Sequence, residues 1–301
     1  MLLSIIIPTK NRNELLLETL ENALKSIQDF DAEIIVVNDG TALSNLPTNN
    51  KSITLLENSG YGVSVARNKG AKVAKGQLLF FIDDDMNITA EALAIIQKLF
   101  LQKQFDNNYF NLNWVYPKDL QETLKVKKIG RYILQSNYHT LEGRMHAKIN
   151  YALPIDSANG VASCAFCISK QNFEKIGGYN ENIDFQGEDI DIAIRLKEIA
   201  IHSKVVTQIT CFHNQKDRLE ITEYLDRIYR GYVSQAKANM VETLTSKQHF
   251  IRLFLLLFPI VKLVFTTVPN RPIFDQLIFR LIGILSSMTY LKALRAASRN
   301  K

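Results

Sequence analysis

Asp83, Asp84 and Asp85 directly follow the apolar run LLFFI (78–82). Three consecutive carboxylates repel one another unless water or a cation compensates them. A hard divalent cation with oxygen ligands would do so, and by bridging two phosphates it would neutralise charge growing on a departing nucleoside diphosphate. The plainer alternative is an acidic loop favoured by the dipole of the helix that follows. A second acidic group, Glu188, Asp189 and Asp191, opens the apolar-patterned stretch 188–200. A helix N-terminus favours their ionised forms while crowding favours keeping a proton, so each could accept one. Arg195, four residues beyond Asp191, can instead pair with it structurally. His213 ends the strand-like run 203–212, where a satisfied structural histidine and a metal ligand are both consistent.

These groups need elements to hold them. LSIII (3–7) is a continuous apolar run rich in β-branched residues, as in a strand buried on both faces of a parallel sheet, and Pro8 ends it. From Asn13 the spacing of Leu16, Leu20, Ala23 and Ile27 is helical, and EIIVVND (33–39) is another buried strand. A strand at 53–56, a helix through about 62–75, the strand 78–82 and a helix capped by Thr89 repeat the alternation. The pattern predicts an α/β, Rossmann-like, doubly wound and mostly parallel sheet, in which ligands bind beyond the carboxyl ends of the strands. Thr9 and Arg12, Asp39, and Asp83 to Asp85 all fall at such ends, although Asp39-Gly40 alone also reads as a turn.

Past residue 101 the pattern weakens. The stretch 102–150, polar and aromatic with many basic residues, reads as a solvated connection or an acceptor-binding subregion. ASCAFCIS (162–169) is a strand, and 188–200 a helix with Ile190, Ala193, Ile194 and Ile199 on its apolar side.

The 301 residues carry a formal charge of +6 that is unevenly placed. Residues 247–301 hold nine basic side chains against Asp275 alone, so the rest of the chain is slightly acidic. That distribution argues against a nucleic-acid-binding catalytic domain. Cys164, Cys167 and Cys211 are too few for a disulfide framework, the start of the chain has no signal-peptide pattern, and a cytoplasmic location is expected. Cys164 and Cys167 form a CxxC without a second ligand pair, which reads as core.

The segments SIIIPTKNR (4–12), VVNDG (36–40), ARNKG (66–70), FIDDD (81–85), GGYNENID (177–184) and GEDIDIAIRL (187–196) together resemble the family 2 glycosyltransferases of the GT-A fold. The resemblance implies an inverting transfer of sugar from a nucleotide-sugar, a UDP-sugar being expected, with Mn²⁺ or Mg²⁺ as cofactor. It assigns Pro8, Thr9, Arg12, Asp39, Arg67, Asn68, Asp83 and Asp84 to the nucleotide-sugar, and Asp83 and Asp85 to the metal as the DxD motif. YNENIDFQGEDIDIAIRL followed by CFHNQKD is similar to the galactosyl- and N-acetylgalactosaminyltransferase group. That second similarity implies Asp189 as catalytic base, Glu188 as its acceptor-site neighbour and His213 as a further metal ligand. IDFQ departs from the tryptophan and glycine that group carries before GED, which leaves the sugar open; Asp191 also stays in contention as base.

A catalytic domain over 1–215 and a helical, basic, apolar segment over 216–301 are expected. The runs 250–268 and 277–291 are apolar but broken by Arg252, Pro259, Lys262 and Arg280, too short of the roughly 20 uncharged residues of a membrane span. They suit in-plane burial at the inner, anionic face of a membrane, or a helical pair packed on the domain or on a second subunit. A chain ending near Met240 is expected to stay folded. The acceptor is a glycan or a lipid-linked saccharide. A nucleotidyltransferase would need a Gly-rich, lysine-bearing loop where PTKNR stands, and a dinucleotide enzyme a complete G-x-G-x-x-G where Gly60-Tyr-Gly62 runs on to Val65. A non-catalytic nucleotide-sugar-binding subunit would have little reason to keep every acidic motif.

Overall fold

The computed structural model describes residues 1–47, 50–217, 219–241 and 255–299. Along the chain the elements run β1 (Leu3–Thr9), α1 (Asn13–Ser26), β2 (Ala32–Asn38), β3 (Ile53–Glu57), α2 (Val63–Val73), β4 (Leu78–Ile82), β5 (Met86–Asn87), α3 (Ala90–Leu101) and β6 (Asn108–Val115). They continue with α4 (Lys118–Lys125), α5 (Lys128–Gln135), α6 (Leu141–Met145), β7 (Ile155–Ser157), β8 (Ala165–Ser169), α7 (Lys170–Lys175), α8 (Glu188–Glu198) and β9 (His202–His213). Three further helices follow, α9 (Ile221–Lys237), α10 (Phe258–Thr267) and α11 (Asp275–Arg299). Two compact units result: one of Met1–Pro117, Thr140–Asp184 and Glu188–Asn214, the other of Lys118–His139, Phe185–Gly187 and Gln215–Lys301.

The first unit is built on a nine-stranded sheet of order β3-β2-β1-β4-β8-β6-β9-β5, with β7 on β9. Strands β3, β2, β1 and β4 are parallel, as the alternating pattern predicts, while β8 runs antiparallel to both β4 and β6. All seven positions of β1 and all five of β4 are buried, which is why Ile5–Ile7 and Leu78–Ile82 are apolar runs rather than alternating. One face of the sheet packs Ile6, Phe81 and Phe166 against Phe173, Tyr179 and Ile192.

Two expectations are corrected here. The stretch 102–150 is not a solvated connection: it contains β6, a central strand between β8 and β9 whose interior is buried. Its aliphatic signature is broken by Asn111 and Asn113, and both amides are satisfied inside. Asn111 donates to Gly160 O (3.1 Å) and accepts from Ala162 N (2.8 Å), and Asn113 donates to Thr210 Oγ1 (3.1 Å). On α8 the inward stripe is Glu188, Ile192 and Leu196, while Ile190, Ile194 and Ile199 are exposed. The segment offers two apolar stripes, and periodicity alone could not choose between them. The strand read at 162–169 begins only at Ala165.

The second unit is helical. On α11, Ile278, Ile282, Leu285 and Met288 are fully buried, one stripe at helical spacing facing α9 and α5. Arg131 of α5 donates to Asp275 at the start of α11 (2.8 Å), and Tyr132 meets Phe279 with ring centroids 5.8 Å apart. By length and composition Pro272–Ser298 is apolar enough to cross a membrane, a stretch the sequence pattern had shortened to 277–291. Its stripe nevertheless serves as the core of this unit. A cut near Met240 removes that core, so such a chain is now expected to lose the packing of this unit. Residues 250–254 of the first apolar run lie outside the described residues.

Candidate functional site

The polar residues at the ends of β1, β2 and β4 do converge. Pro8 is buried within β1 opposite Val37, and Thr9, the last residue of that strand, donates to Asp84 Oδ2 (2.6 Å). Arg12 forks its guanidinium between Asp84 and Asp85. Burial, then the crowding of Asp85 and Asp83, push the Asp84 carboxyl up to about 7 although Arg12 and Thr9 pull it down. After β2, the buried Asp39 accepts from Lys10 Nζ (3.0 Å), Asn58 Nδ2 (2.6 Å) and the Gly62 N–H (3.2 Å). Gly62 has φ +98°, and a Cβ there would stand 2.9 Å from Asp184 O, so this donor position is reserved for glycine.

Asp83, Asp85 and His213 form a three-ligand group whose ligating atoms all lie within 4.8 Å of one another. Two carboxylates and an imidazole suit a divalent cation of the Mn²⁺ type, so the donor set fits the cofactor the sequence implies. The group assembles because β5 pairs antiparallel with the end of β9, setting Met86 opposite His213. The His213 ring is packed edge-on against Trp114 and Tyr116, at centroid distances of 4.8 and 5.8 Å.

Across from this group stands the N-terminus of α8. Arg67, on α2 and 3% exposed, donates to Glu188 Oε1 (2.8 Å) and to Asp83 Oδ1 (3.0 Å), joining the two acidic clusters. Glu188 Oε2 is buried without a partner among the described residues, and a buried acceptor with no protein donor is an arrangement that a substrate hydroxyl satisfies. The half-buried Asp189 receives both the N–H (3.2 Å) and the hydroxyl of Ser163 on Oδ1. Ser163 Oγ in turn lies 2.8 Å from the Tyr179 hydroxyl. Burial, then the neighbouring Glu188, push the Asp189 carboxyl up to about 7 against the pull of Arg67 and Ser163. Asp191 is otherwise engaged: Arg195 donates Nε to it (2.9 Å) and also clasps the carbonyls of Ile176 and Gly178 at 2.7 Å.

Thr9, Arg12, Asp84, Asp85 and His213 are joined by direct contacts, Arg67 joins Asp83 to Glu188, the Asp83 carboxylate lies within 4.8 Å of the ligating atoms of Asp85 and His213, and Asp189 is held by Ser163. Asp39 lies beside them with its own partners. Asn68 is engaged elsewhere, its amide donating to Tyr179 O (2.9 Å) and accepting from Tyr179 N (2.8 Å). Sequence reasoning gave no role to Ser163, Asn58, Trp114 or Tyr116, which lie outside the quoted motifs, nor to Tyr179, which lies within GGYNENID. Only their tertiary neighbours give them meaning.

Comparison with known proteins agrees with this geometry. The family model described as "Glycosyl transferase family 2" matches residues 4–170, and one described as "N-terminal domain of galactosyltransferase" matches 143–218. The chain is 36% identical over 249 residues to a GalNAc(5)-diNAcBac-PP-undecaprenol beta-1,3-glucosyltransferase of Campylobacter jejuni, covering 78% of this chain and 73% of the relative. It is 29% identical over 121 residues to YibD of Escherichia coli, called an uncharacterized glycosyltransferase, covering 38% of this chain and only 35% of that protein. In fold it is similar to GalNAc-T7, solved with UDP, GalNAc and Mn²⁺, at a TM-score of 0.53 and 15% identity, over 71% of this chain and 43% of the other. From the match over residues 4–170 and the Campylobacter relative it follows that this chain belongs to glycosyl transferase family 2 and is a glycosyltransferase of the GT-A fold.

Proposed function

We propose that the enzyme transfers a hexosyl or N-acetylhexosaminyl group from a UDP-sugar to a saccharide acceptor, itself lipid-linked, with inversion at the anomeric carbon. The observation that carries this reading is the pairing of two acidic clusters through Arg67: a three-ligand group at Asp83, Asp85 and His213, and the start of α8, where Glu188 takes the other arm of Arg67 and Asp189 follows. Asp83, Asp85 and His213 would hold Mn²⁺ or Mg²⁺, and the cation when bound supplies charge neutralisation to the departing diphosphate. Thr9, Arg12, Asp39, Arg67 and Asp84 line the donor side.

Asp189 takes the proton of the acceptor hydroxyl as that oxygen bonds to the anomeric carbon, while the bond from the carbon to the UDP oxygen breaks on the opposite face. The electron pair leaves with UDP, and Glu188 Oε2 steadies a second sugar hydroxyl. The name of the Campylobacter relative supports a saccharide on a polyprenyl diphosphate as acceptor class, and the neighbour solved with UDP and Mn²⁺ supports the donor and cation. Such an acceptor would place the enzyme peripherally on the inner face of the membrane, with residues 216–301 as the attachment.

Thermal melting against a panel of UDP-sugars with and without Mn²⁺ identifies the donor, because a ligand that binds only the native state raises its stability. NMR of the first product then reads the anomeric configuration. A product that retains the donor's configuration would falsify the direct displacement at Asp189.

A further inference from the structure

The helical second unit exposes a face that its own core does not use. On and just before α10, Leu256, Leu257, Ile260, Leu263 and Val264 are 40–70% exposed, recurring at the spacing of a single helix stripe. Ile273, between α10 and α11, is 84% exposed. Phe265, on the opposite side of α10, is buried, with the Lys128 ammonium 4.9 Å from its ring and donating to its carbonyl (2.7 Å). So α10 is fixed to the unit by one face and presents an apolar face outward. Soluble surfaces rarely expose so many neighbouring large aliphatic side chains without a partner.

Charge identifies the partner. The second unit carries 19 lysines and arginines against 11 fewer acids, 8 in all, whereas the first unit is net acidic. Asp275, the one acid beyond residue 247, is already paired with Arg131. The α4–α5 segment adds Lys118, Lys125, Lys127, Lys128 and Arg131 against Asp119 and Glu122, a surplus invisible when only the C-terminal segment is counted, although Lys125 pairs with Glu122 and Lys127 with Glu220. An exposed aliphatic helix stripe within a strongly cationic unit matches an anionic lipid surface, in which the apolar residues enter the acyl boundary and the cations meet headgroups.

We propose that the outward face of α10, with Leu256, Ile260 and Leu263 as its inserting residues, lies in the plane of an anionic membrane while α11 remains a packed core helix that does not span it. The proposal rests on the membrane location read above for the lipid-linked acceptor, and it names the surface that makes the contact. Full-length protein should float with vesicles of phosphatidylglycerol and phosphatidylcholine and not with phosphatidylcholine alone. Half-molar salt should release it only in part, since screening weakens the charge attraction and leaves apolar insertion. Ile260→Glu with Leu263→Glu should cut vesicle binding at least tenfold. Both residues are exposed, so circular dichroism and Mn²⁺-dependent UDP binding should be unchanged. A Leu263→Trp variant should shift its emission to the blue on adding the anionic vesicles, against the constant signal of the single native Trp114, which is buried in the first unit. Vesicle binding that survives the double variant overturns the assignment of the face. A wild type that ignores the vesicles but forms a dimer abolished by the double variant makes it an interface between copies. Donor binding is measured separately, so loss of that activity would count against the transferase reading and not against this surface.

Discussion

His213 Nε2 lies 2.9 Å from Asp85 Oδ1 although 128 residues separate them. The contact follows from strand pairing: Met86 is opposite His213, and the Asn214 N–H donates to Asp85 O at 2.7 Å. The β5–β9 pairing and this backbone hydrogen bond therefore set the spacing of the two side chains before any ligand arrives, and Trp114 and Tyr116 pack against the ring.

If that pair belongs to a cation site, Asp85→Asn should weaken Mn²⁺-dependent UDP binding at least tenfold by calorimetry. The melting temperature without metal should barely move. Asp85 is 1% exposed, so removing its charge relieves repulsion from Asp84 while weakening one arm of the Arg12 fork, and the two effects oppose each other. Undiminished affinity would remove Asp85 from the ligand set.

Asp189→Asn should keep donor and cation affinity yet slow transfer by about 10²-fold or more, the range for losing a general base. The amide has the same size and still accepts from Ser163. Near-normal turnover would shift the role to Glu188, since Asp191 is held by Arg195.

The pH dependence has a definite sign. With the Asp189 carboxyl pushed up to about 7, kcat/KM should climb with pH and level off above about 7 as the base becomes ionised. The groups facing it are Glu188, Arg67, Asp83, Tyr179, Tyr109 and Cys164. Ser163→Ala removes a donor to the ionised form, so the midpoint should move upward. Stability runs the other way: an acid whose folded value exceeds its unfolded value costs stability as pH rises between the two. The Asp189→Asn variant should accordingly gain on the wild type in melts above pH 7.

Gly62→Ala should destabilise the first unit by about 1 kcal/mol or more, combining a left-handed φ with a Cβ 2.9 Å from Asp184 O. UDP affinity should fall as well, because the Gly62 N–H orients Asp39. Unaltered melting and affinity would show that the loop relaxes freely.

Truncation after Met240 should yield a chain that aggregates, since the stripes of α9 and α5 lose Ile278, Ile282, Leu285 and Met288. Light scattering at several concentrations checks this. A monomeric, cooperatively melting product would mean that α11 is dispensable to the unit.

Legibility followed the physics of each element. Strands β1, β2 and β4 each carry an unbroken apolar run, Ile5–Ile7, Ile34–Val37 and Leu78–Ile82, because both faces are covered, so the sequence reads directly as a buried parallel sheet. In β6 that logic hides, since Asn111 and Asn113 look like loop residues until Gly160, Ala162 and Thr210 are seen to satisfy them. The acidic site residues were readable because clustered carboxylates demand an explanation wherever they fall. Ser163 and Tyr179 were not, since a serine 26 positions from Asp189 acquires its role only when β8 brings the strand end beside α8. On α8 itself the sequence offered Ile190 and Ile194 as plausibly as Ile192 and Leu196, and only the sheet's position chooses.

Arg67 shares one positive charge between Asp83 and Glu188. A cation or donor that neutralised Asp83 would weaken its hold on the guanidinium, which would then belong more fully to Glu188 and lower the negative potential around Asp189. Binding on one side thereby changes the free energy of binding on the other, and reciprocity requires the same change in reverse. On the proposed function, a single buried side chain would couple the donor side to the acceptor side, and the nucleotide-sugar would be expected to bind ahead of the hydroxyl it meets.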